Sequence, residues 1–506
     1  MSPSPGPAAI ARRCAFAAIT AAVAASWSAL AVAADGDGGA TEIALAHARL
    51  TFEKVKFPGD ESVGLLGTSY LIDVSRAHGI SLGPAVYGAI TGGRGGFFTI
   101  GGEAAWRQRV VGPFGVEVGM YAGGGGGAAA PQGGGLMLRP HLDLLAEFGA
   151  TAFGVSLSHV KFPNGQISST QWGLVFNLSD EFRSTRADRL DTPVRAGGRS
   201  GAGFDRIQIV AGAYRTRSGS TLLDGRAEPP TIGLIGVRGE QAIGSNGYWG
   251  VEANGATQSA VAGYAEFLGT LGAETEVIHN GLTLGGRVAA GMGGGGGVPT
   301  GGGLLVKGAL YGVIRLTSDL GVSLEGGLTS APRGELRAVH AAAGLVWALD
   351  GPAAAGAPAR PVRTEFGGGV EQYDAARHSG ETRSMSLVVL RLDRFVTPNL
   401  YLSGQAHSAF AGGAGGFTSA FLGAGWSQPL SPRWLVGGEL LGGAAGGGGV
   451  DSRGAVGQAM LYAGAQLTPS VGLRIGAGRI ESLRGALGAT VVGATLVFTY
   501  GVTAGD

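Results

Sequence analysis

The chain has 506 residues and a formal net charge of +1; 44% of the residues are hydrophobic, 14% are charged and 99 are glycine. So much glycine argues against a mainly helical protein, because each glycine inside a helix costs about 1 kcal/mol relative to alanine. The near-neutral charge offers no basic field for nucleic acid, and the apolar, weakly charged composition excludes a disordered chain.

The N-terminal segment has the pattern of a secretory signal peptide. An arginine pair precedes an alanine-rich apolar run that ends in a small-residue cleavage pattern at Ala33. We therefore expect residues 1–33 to be removed during secretion. The only cysteine, Cys14, lies in this segment, so the mature chain is expected to have no disulfide and no thiolate metal site.

A glycine-rich hairpin occurs three times and marks an internal repeat. The copies begin at Gly123, Gly293 and Gly446, and the turns and closing strands around them keep the same order. Self-similarity at a long, fixed period indicates repeated modules. We interpret the chain as β-modules at residues 41–179, 204–350 and 363–502, separated by linkers at 180–203 and 351–362.

Each module alternates apolar and polar residues with the period of a β-strand. Leu138 and Leu142, for example, alternate with Arg139, His141 and Asp143. Mean hydropathy is high at +0.22, yet after the N-terminus no window offers the ~18 consecutive apolar residues of a membrane helix. Hydropathy of this kind, without membrane helices, predicts an all-β, antiparallel transmembrane β-barrel with about eight strands per module.

The signal peptide and the two-faced strands together resemble bacterial, Gram-negative outer-membrane β-barrel proteins as a broad class. The resemblance implies location in the cell outer membrane, contact with outer-membrane lipid and lipopolysaccharide, and insertion by the barrel-assembly machinery. One feature departs from that class. Its members usually end on an aromatic residue of the last strand, whereas residues 501–506 follow Tyr500 here.

Three modules of eight strands allow two architectures. Either all strands form one continuous barrel wall of about 24 strands, or each module closes as a separate eight-stranded barrel. In the second and third modules, the strand positions that face inwards are mostly small residues. Such residues would underfill the interior of an eight-stranded barrel, which favours the single large barrel. The long first linker favours three barrels, since adjacent strands of one wall usually need only a short periplasmic turn.

The candidate functional residues fall into two groups. One is a cluster of inward charges in the first module, suited to selectivity in a pore or to stabilising the wall: Arg49, Glu53, Glu103, Arg107, Arg139, His141 and Asp143. The other is the set of glycine-rich hairpins, where strands bend sharply or approach closely: Gly123, Gly127, Gly293, Gly297, Gly446 and Gly449.

These features predict an outer-membrane pore or export conduit with an aqueous lumen and, for export, a periplasmic partner. A structural or surface-anchoring barrel without a pore is one alternative. The other is a lipid hydrolase built on Ser156 or Ser158 and His159, although neighbouring residues of a strand point to opposite faces. No enzyme is expected under the main interpretation, and no motif indicates a cofactor, a metal or nucleic acid as a partner.

Overall fold

The structure is a computed structural model that describes residues 41–75, 78–195, 199–349 and 358–503. The predicted signal peptide lies outside the described residues. The described chain is built of β-strands, with two short 3₁₀ turns at Ala187–Arg189 and Ser259–Val261. No helix within these ranges is long and apolar enough to cross a membrane.

The first eight strands form an antiparallel meander. Each follows an alternating sequence, and short turns join them at one end. Gly112 and Gly149 adopt φ of +56° and +63° in two of these turns, where a residue without a Cβ is not strained. The strands are β1 (Thr41–Lys56), β2 (Ser62–Ser75), β3 (Ile80–Thr91), β4 (Phe98–Val111), β5 (Phe114–Gly126), β6 (Met137–Phe148), β7 (Thr151–Lys161) and β8 (Ser168–Thr185).

The second and third modules repeat this meander. A two-residue strand, β9 (Val194–Arg195), precedes the second module, and a similar strand, β18 (Pro358–Ala359), precedes the third. The second module contains β10 (Arg206–Thr216), β11 (Thr231–Ile243), β12 (Gly247–Ala256), β13 (Ala265–Ile278), β14 (Leu282–Gly294), β15 (Leu304–Arg315), β16 (Leu320–Ser330) and β17 (Arg337–Ala348). The third contains β19 (Pro361–Ala376), β20 (Thr382–Phe395), β21 (Leu400–Ala411), β22 (Thr418–Pro429), β23 (Trp434–Gly446), β24 (Gly454–Gln466), β25 (Val471–Ser482) and β26 (Gly488–Thr503).

Each meander closes on itself. β1 pairs with β8 from Thr41–Thr185 to Glu53–Gly173. β10 pairs with β17, and β19 pairs with β26, in the same antiparallel way. Among the described strands, those of the first and third modules share one further ladder pair, Gly501 opposite Thr185. The described chain therefore contains three closed eight-stranded barrels, here named barrels 1, 2 and 3.

The favoured prediction of one wall of about 24 strands is therefore wrong, and the alternative of three barrels is the observed architecture. The eight-stranded interiors are not underfilled, because long charged side chains occupy the space that the small inward residues leave. Arg238, Arg287 and Lys307 project into barrel 2, and Arg391 and Arg474 project into barrel 3. Such side chains fill the interior of a barrel of this size.

The barrels have two distinct ends. The linker end carries the first and last residues of each barrel and the connections between barrels. The opposite loop end carries the glycine-rich loops after β5, β14 and β23. The first linker begins later than predicted, because β8 continues to Thr185. Residues of both linkers meet where β9 pairs with β18.

The three barrels pack in a ring through the same elements each time. The third strand of one barrel contacts the fifth strand of the next: β3 with β14, β12 with β23, and β21 with β5. In the first of these contacts the Gly95 amide donates to the Gly301 carbonyl at 2.8 Å. In the last, the Gly416 amide donates to the Gly125 carbonyl at 2.9 Å. This is the head-to-tail pattern of a closed trimer, built within one chain.

Candidate functional site

The lumen of barrel 1 is organised around Arg49. Its guanidinium donates to Glu103 at 2.9 Å, to Glu117 at 2.7 Å and to Asp143 at 2.5 Å. Both nitrogens of the His141 ring also lie 3.2 Å from this group. The side chains of all five residues are 0% exposed. Four strands therefore deliver their polar faces to one desolvated charge network.

A second ion pair lies beside this network. The Arg139 guanidinium donates to both carboxylate oxygens of Glu53, at 2.9 and 3.0 Å. Ser158 donates to the same carboxylate at 2.5 Å. The Tyr87 hydroxyl, 3.2 Å from Arg139, donates to Glu103 at 3.1 Å and so joins the pair to the Arg49 network.

Six of the seven predicted charges thus meet in the lumen, and the seventh does not. Arg107 lies closer to the linker end and pairs with Glu147 at 3.1 Å, where both side chains are about one-fifth exposed. Glu117 is fully buried against Arg49 and was not among the predicted charges. Its signal was present, because Glu117 stands between Val116 and Val118 in the same apolar and polar alternation.

Barrels 2 and 3 contain their own buried networks, which sequence analysis did not predict. In barrel 2, Glu252 accepts from Arg238, Arg287 and Lys307 at 3.0, 2.5 and 2.7 Å. In barrel 3 the network runs through the following residues: Arg391, Asp393, Glu439, Arg474 and Glu365. Barrel 1 is centred on a cation and barrel 2 on an anion, so the central charges of these two lumens differ in sign.

Three potential metal ligands lie together in barrel 1. One ligand atom from each of Glu117, His141 and Asp143 falls within 4.8 Å of the others. The Arg49 guanidinium is hydrogen-bonded to this same set. It supplies the positive charge that these carboxylates require, so the group forms an ion-pair network around arginine.

Apolar side chains close each lumen towards the loop end. In barrel 1 this layer includes Phe97, Tyr121, Met137 and Phe162, all at most 1% exposed. Barrels 2 and 3 have corresponding clusters around Tyr264 and Phe417. Barrel 2 also contains a cavity of about 20 Å³ among its charged residues, which is room for about one water molecule.

The outer walls are apolar and exposed. Large side chains at outward-facing strand positions, such as Leu310, Leu440 and Leu461, are more than two-thirds exposed. Aromatic side chains concentrate near the linker end, as expected for a membrane interface: Trp106, Phe114, Phe148, Phe153, Trp426 and Trp434 are 42–62% exposed. In water, so much exposed apolar surface would cause association, whereas hydrocarbon stabilises it.

The predicted glycine hairpins lie at the contacts between barrels. Gly127 adopts φ +116°, and a Cβ there would approach the Gly96 carbonyl of its own barrel at 2.4 Å, while a Cβ at Gly416 of barrel 3 would lie 2.8 Å from the Gly127 nitrogen. At Gly446 a Cβ would lie 2.1 Å from the Gly263 nitrogen of barrel 2. The remaining predicted positions lie along the same loop end: Gly123, Gly293, Gly297 and Gly449. Of the predicted positions, Gly446 thus allows backbone-to-backbone packing of neighbouring barrels.

The serines considered for a hydrolase face the lumen. Ser156 and Ser158 are at most 2% exposed, whereas His159 lies on the outer wall. There, His159 Nδ1 lies 2.7 Å from Thr170 Oγ1, and Nε2 lies 3.5 Å from Ser168 Oγ. The two predicted serines and His159 therefore lie on opposite faces of the barrel wall.

Comparison with known proteins gives no family assignment. No protein-family model and no curated protein matches the chain. Among solved structures, the siderophore receptor PirA from Acinetobacter baumannii aligns at 9% identity and a TM-score of 0.27, covering 92% of this chain and 81% of that one. Outer membrane protein OpdK from Pseudomonas aeruginosa aligns at 9% identity and 0.23, covering 90% and 98%. A de novo designed transmembrane β-barrel aligns at 14% identity and 0.20, covering 28% and 96%.

The architecture itself defines the class of protein. The walls are closed, so no strand edge is left unpaired in lipid, and they are apolar outside and charged inside. Strands of 10–18 residues are long enough to span a bilayer when tilted. The chain is therefore a β-barrel protein of the transmembrane type.

Proposed function

We propose that the protein is a non-conducting scaffold of the outer membrane, in which three closed barrels form one rigid membrane-embedded body. The observation that supports this proposal is the filled lumen. The central side chains of each barrel are at most 6% exposed, and they are held in ion pairs. This is the structural alternative to the pore.

The predicted aqueous conduit required a single wide barrel, because only a wide barrel holds a water-filled lumen. An eight-stranded barrel has an interior just large enough for its own side chains. Passage would also require the apolar layer at the loop end to move and buried charges to separate. Leaving one buried charge unpaired costs about 3–5 kcal/mol, so an open lumen would be rarely populated without a partner that stabilises it.

Single-channel recording in planar bilayers tests this proposal. We expect the purified chain from Ala34 onward to insert without producing conductance steps. Insertion is verified separately by flotation with lipid vesicles and by the different gel mobility of folded and heated protein. Stable steps from inserted protein would contradict the scaffold and restore the conduit. Arg139→Ala, which removes a lumen charge, should then change the ion selectivity.

A further inference from the structure

His407 is buried in the lumen of barrel 3 beside a glutamate. Its side chain is 0% exposed and projects inwards from β21, opposite Ser419 of β22. Its Nδ1 atom lies 3.3 Å from the Oε2 atom of Glu371 on β19. The two atoms form no hydrogen bond with each other, and neither has another hydrogen-bond partner among the described residues. A ring nitrogen and a carboxylate oxygen therefore face each other in the lumen, both unpartnered.

The second ring nitrogen of His407 determines where the imidazole carries its proton. Nε2 lies 3.0 Å from the amide oxygen of Gln405. The amide nitrogen of Gln405 donates to Ser403 at 3.0 Å and to Glu439 at 3.2 Å. A carboxylate only accepts, so the amide nitrogen must face Glu439 and the amide oxygen must face His407. Nε2 therefore donates to Gln405, and a neutral His407 keeps its lone pair on Nδ1.

Glu371 is a lumen carboxylate that no arginine of the described chain neutralises. It is 6% exposed, and its Oε1 atom accepts from the amide nitrogen of Gln458 at 3.0 Å. The other central charges of barrel 3 form ion pairs with one another, three arginines with three carboxylates: Arg363, Arg391, Arg474, Glu365, Asp393 and Glu439. An unpaired buried carboxylate is strongly destabilising, so the space between Glu371 and His407 requires a positive charge.

A metal ion accounts for this arrangement better than a proton does. A shared proton requires an N–H group that points at the carboxylate, and the two side chains are not aligned in that way. In a tetrahedral site, bonds of about 2.0–2.2 Å place two ligand atoms roughly 3.3–3.5 Å apart, and Nδ1 and Oε2 are 3.3 Å apart. A histidine that binds a metal also donates its other ring nitrogen to an acceptor, as His407 does to Gln405.

Two neighbouring side chains carry unpartnered oxygens as well. Oε1 of Gln458 and the hydroxyl of Tyr373 are buried and have no hydrogen-bond partner in the described part of the chain. Gln458 contacts Glu371 through its amide nitrogen, and Tyr373 is the next inward residue of β19. Barrel 1 differs, because Arg49 already supplies the positive charge beside His141. The lumen of barrel 3 therefore combines unpartnered ligand atoms with an unbalanced negative charge.

We propose that His407 and Glu371 bind a divalent transition-metal ion in the lumen of barrel 3, with Gln458 able to supply a third ligand. Imidazole and carboxylate together suit zinc, and water or a further oxygen completes its tetrahedral site. The ion joins β19, β21 and β24 across the lumen as a structural metal, a role that goes beyond the scaffold and does not depend on conductance. Because an apolar layer around Phe417 closes the lumen at the loop end, the ion must enter before the barrel closes.

Refolding from urea in the presence of zinc tests the site, with metal content measured by inductively coupled plasma mass spectrometry. We expect the mature chain, refolded in detergent and passed over a chelating resin, to retain about one zinc ion per chain. His407→Gln and Glu371→Gln should each lower this content at least about tenfold. The matched control is His340→Gln in barrel 2, which removes a buried histidine whose neighbour Glu325 already pairs with Arg287. It should retain the zinc.

A second measurement on the unchanged protein decides the question if a variant does not fold. X-ray absorption at the zinc edge should show one imidazole nitrogen and oxygen ligands at about 2.0–2.2 Å, and nitrogen-15 NMR should show His407 protonated on Nε2 alone. Three results would overturn the site. They are a folded protein that retains no zinc, equal zinc content in folded His407→Gln, and a His407 ring protonated on both nitrogens, which would assign the pair to an imidazolium and a carboxylate.

Discussion

Replacing Arg49 by alanine is expected to unfold barrel 1. The substitution leaves Glu103, Glu117 and Asp143 buried without their shared cation. Removing one partner from such a network costs about 3–5 kcal/mol, because the remaining charges cannot return to water. Arg49→Lys should recover only part of this loss, since an ammonium group cannot reproduce the forked geometry of a guanidinium.

Urea titration with short protease pulses measures this effect, because cleavage sites reveal which barrel has opened. The control is Arg109→Ala on the neighbouring surface. Arg109 also pairs with a carboxylate, Glu147, but its side chain is 68% exposed, so we expect a change below about 1 kcal/mol. Equal urea midpoints for Arg49→Ala and Arg109→Ala would contradict a lumen stabilised by buried ion pairs.

The second large effect is expected at Gly446, where barrels 2 and 3 meet. A Cβ at this position would lie 2.1 Å from the Gly263 nitrogen and 2.5 Å from its Cα. Backbone atoms cannot rotate away as a side chain can, so Gly446→Ala must separate the two barrels. Overpacking of this kind costs about 1–3 kcal/mol.

Gly442 provides a control in the same strand. It also lies in β23, and a Cβ there would meet no atom within 4 Å. Spin labels on barrels 2 and 3 report the separation by pulsed electron resonance. We expect a longer or broader distance distribution for Gly446→Ala and an unchanged one for Gly442→Ala. If both variants keep the original distance, the glycine-rich loops do not determine how the barrels pack.

The strands and their faces could be predicted from sequence because they depend on local alternation. Leu138 and Leu142 face outwards while Arg139 and Asp143 face inwards, as the period of two requires. The charged cluster followed from the same pattern, and Glu117 was within its reach. Arg107 was predicted in this cluster but lies nearer the linker end. The alternation predicts which face of the strand a residue occupies and not its height along the barrel.

Closure could not be predicted in the same way. Whether β8 returns to β1 or continues to β10 depends on pairing between residues more than a hundred positions apart, such as Glu53 and Gly173. The many small inward residues favoured a wide barrel, but a few long side chains such as Arg287 and Lys307 fill the interior of a narrow one. The glycine loops were equally ambiguous, since Gly446 is constrained by a different barrel and not by its own sequence neighbours.

Disulfide cross-linking tests most directly whether each barrel closes separately. A chain that begins at Ala34 lacks Cys14, the only cysteine in the sequence. Leu50 and Phe176 are opposite each other in β1 and β8, and cross-strand pairs lie within the Cα separation that a disulfide requires. Three separate barrels predict that Leu50→Cys/Phe176→Cys forms an intramolecular disulfide in the folded, membrane-inserted protein. No disulfide in that variant, together with one between β8 and β10 in Phe176→Cys/Ile209→Cys, would contradict them and indicate a shared wall.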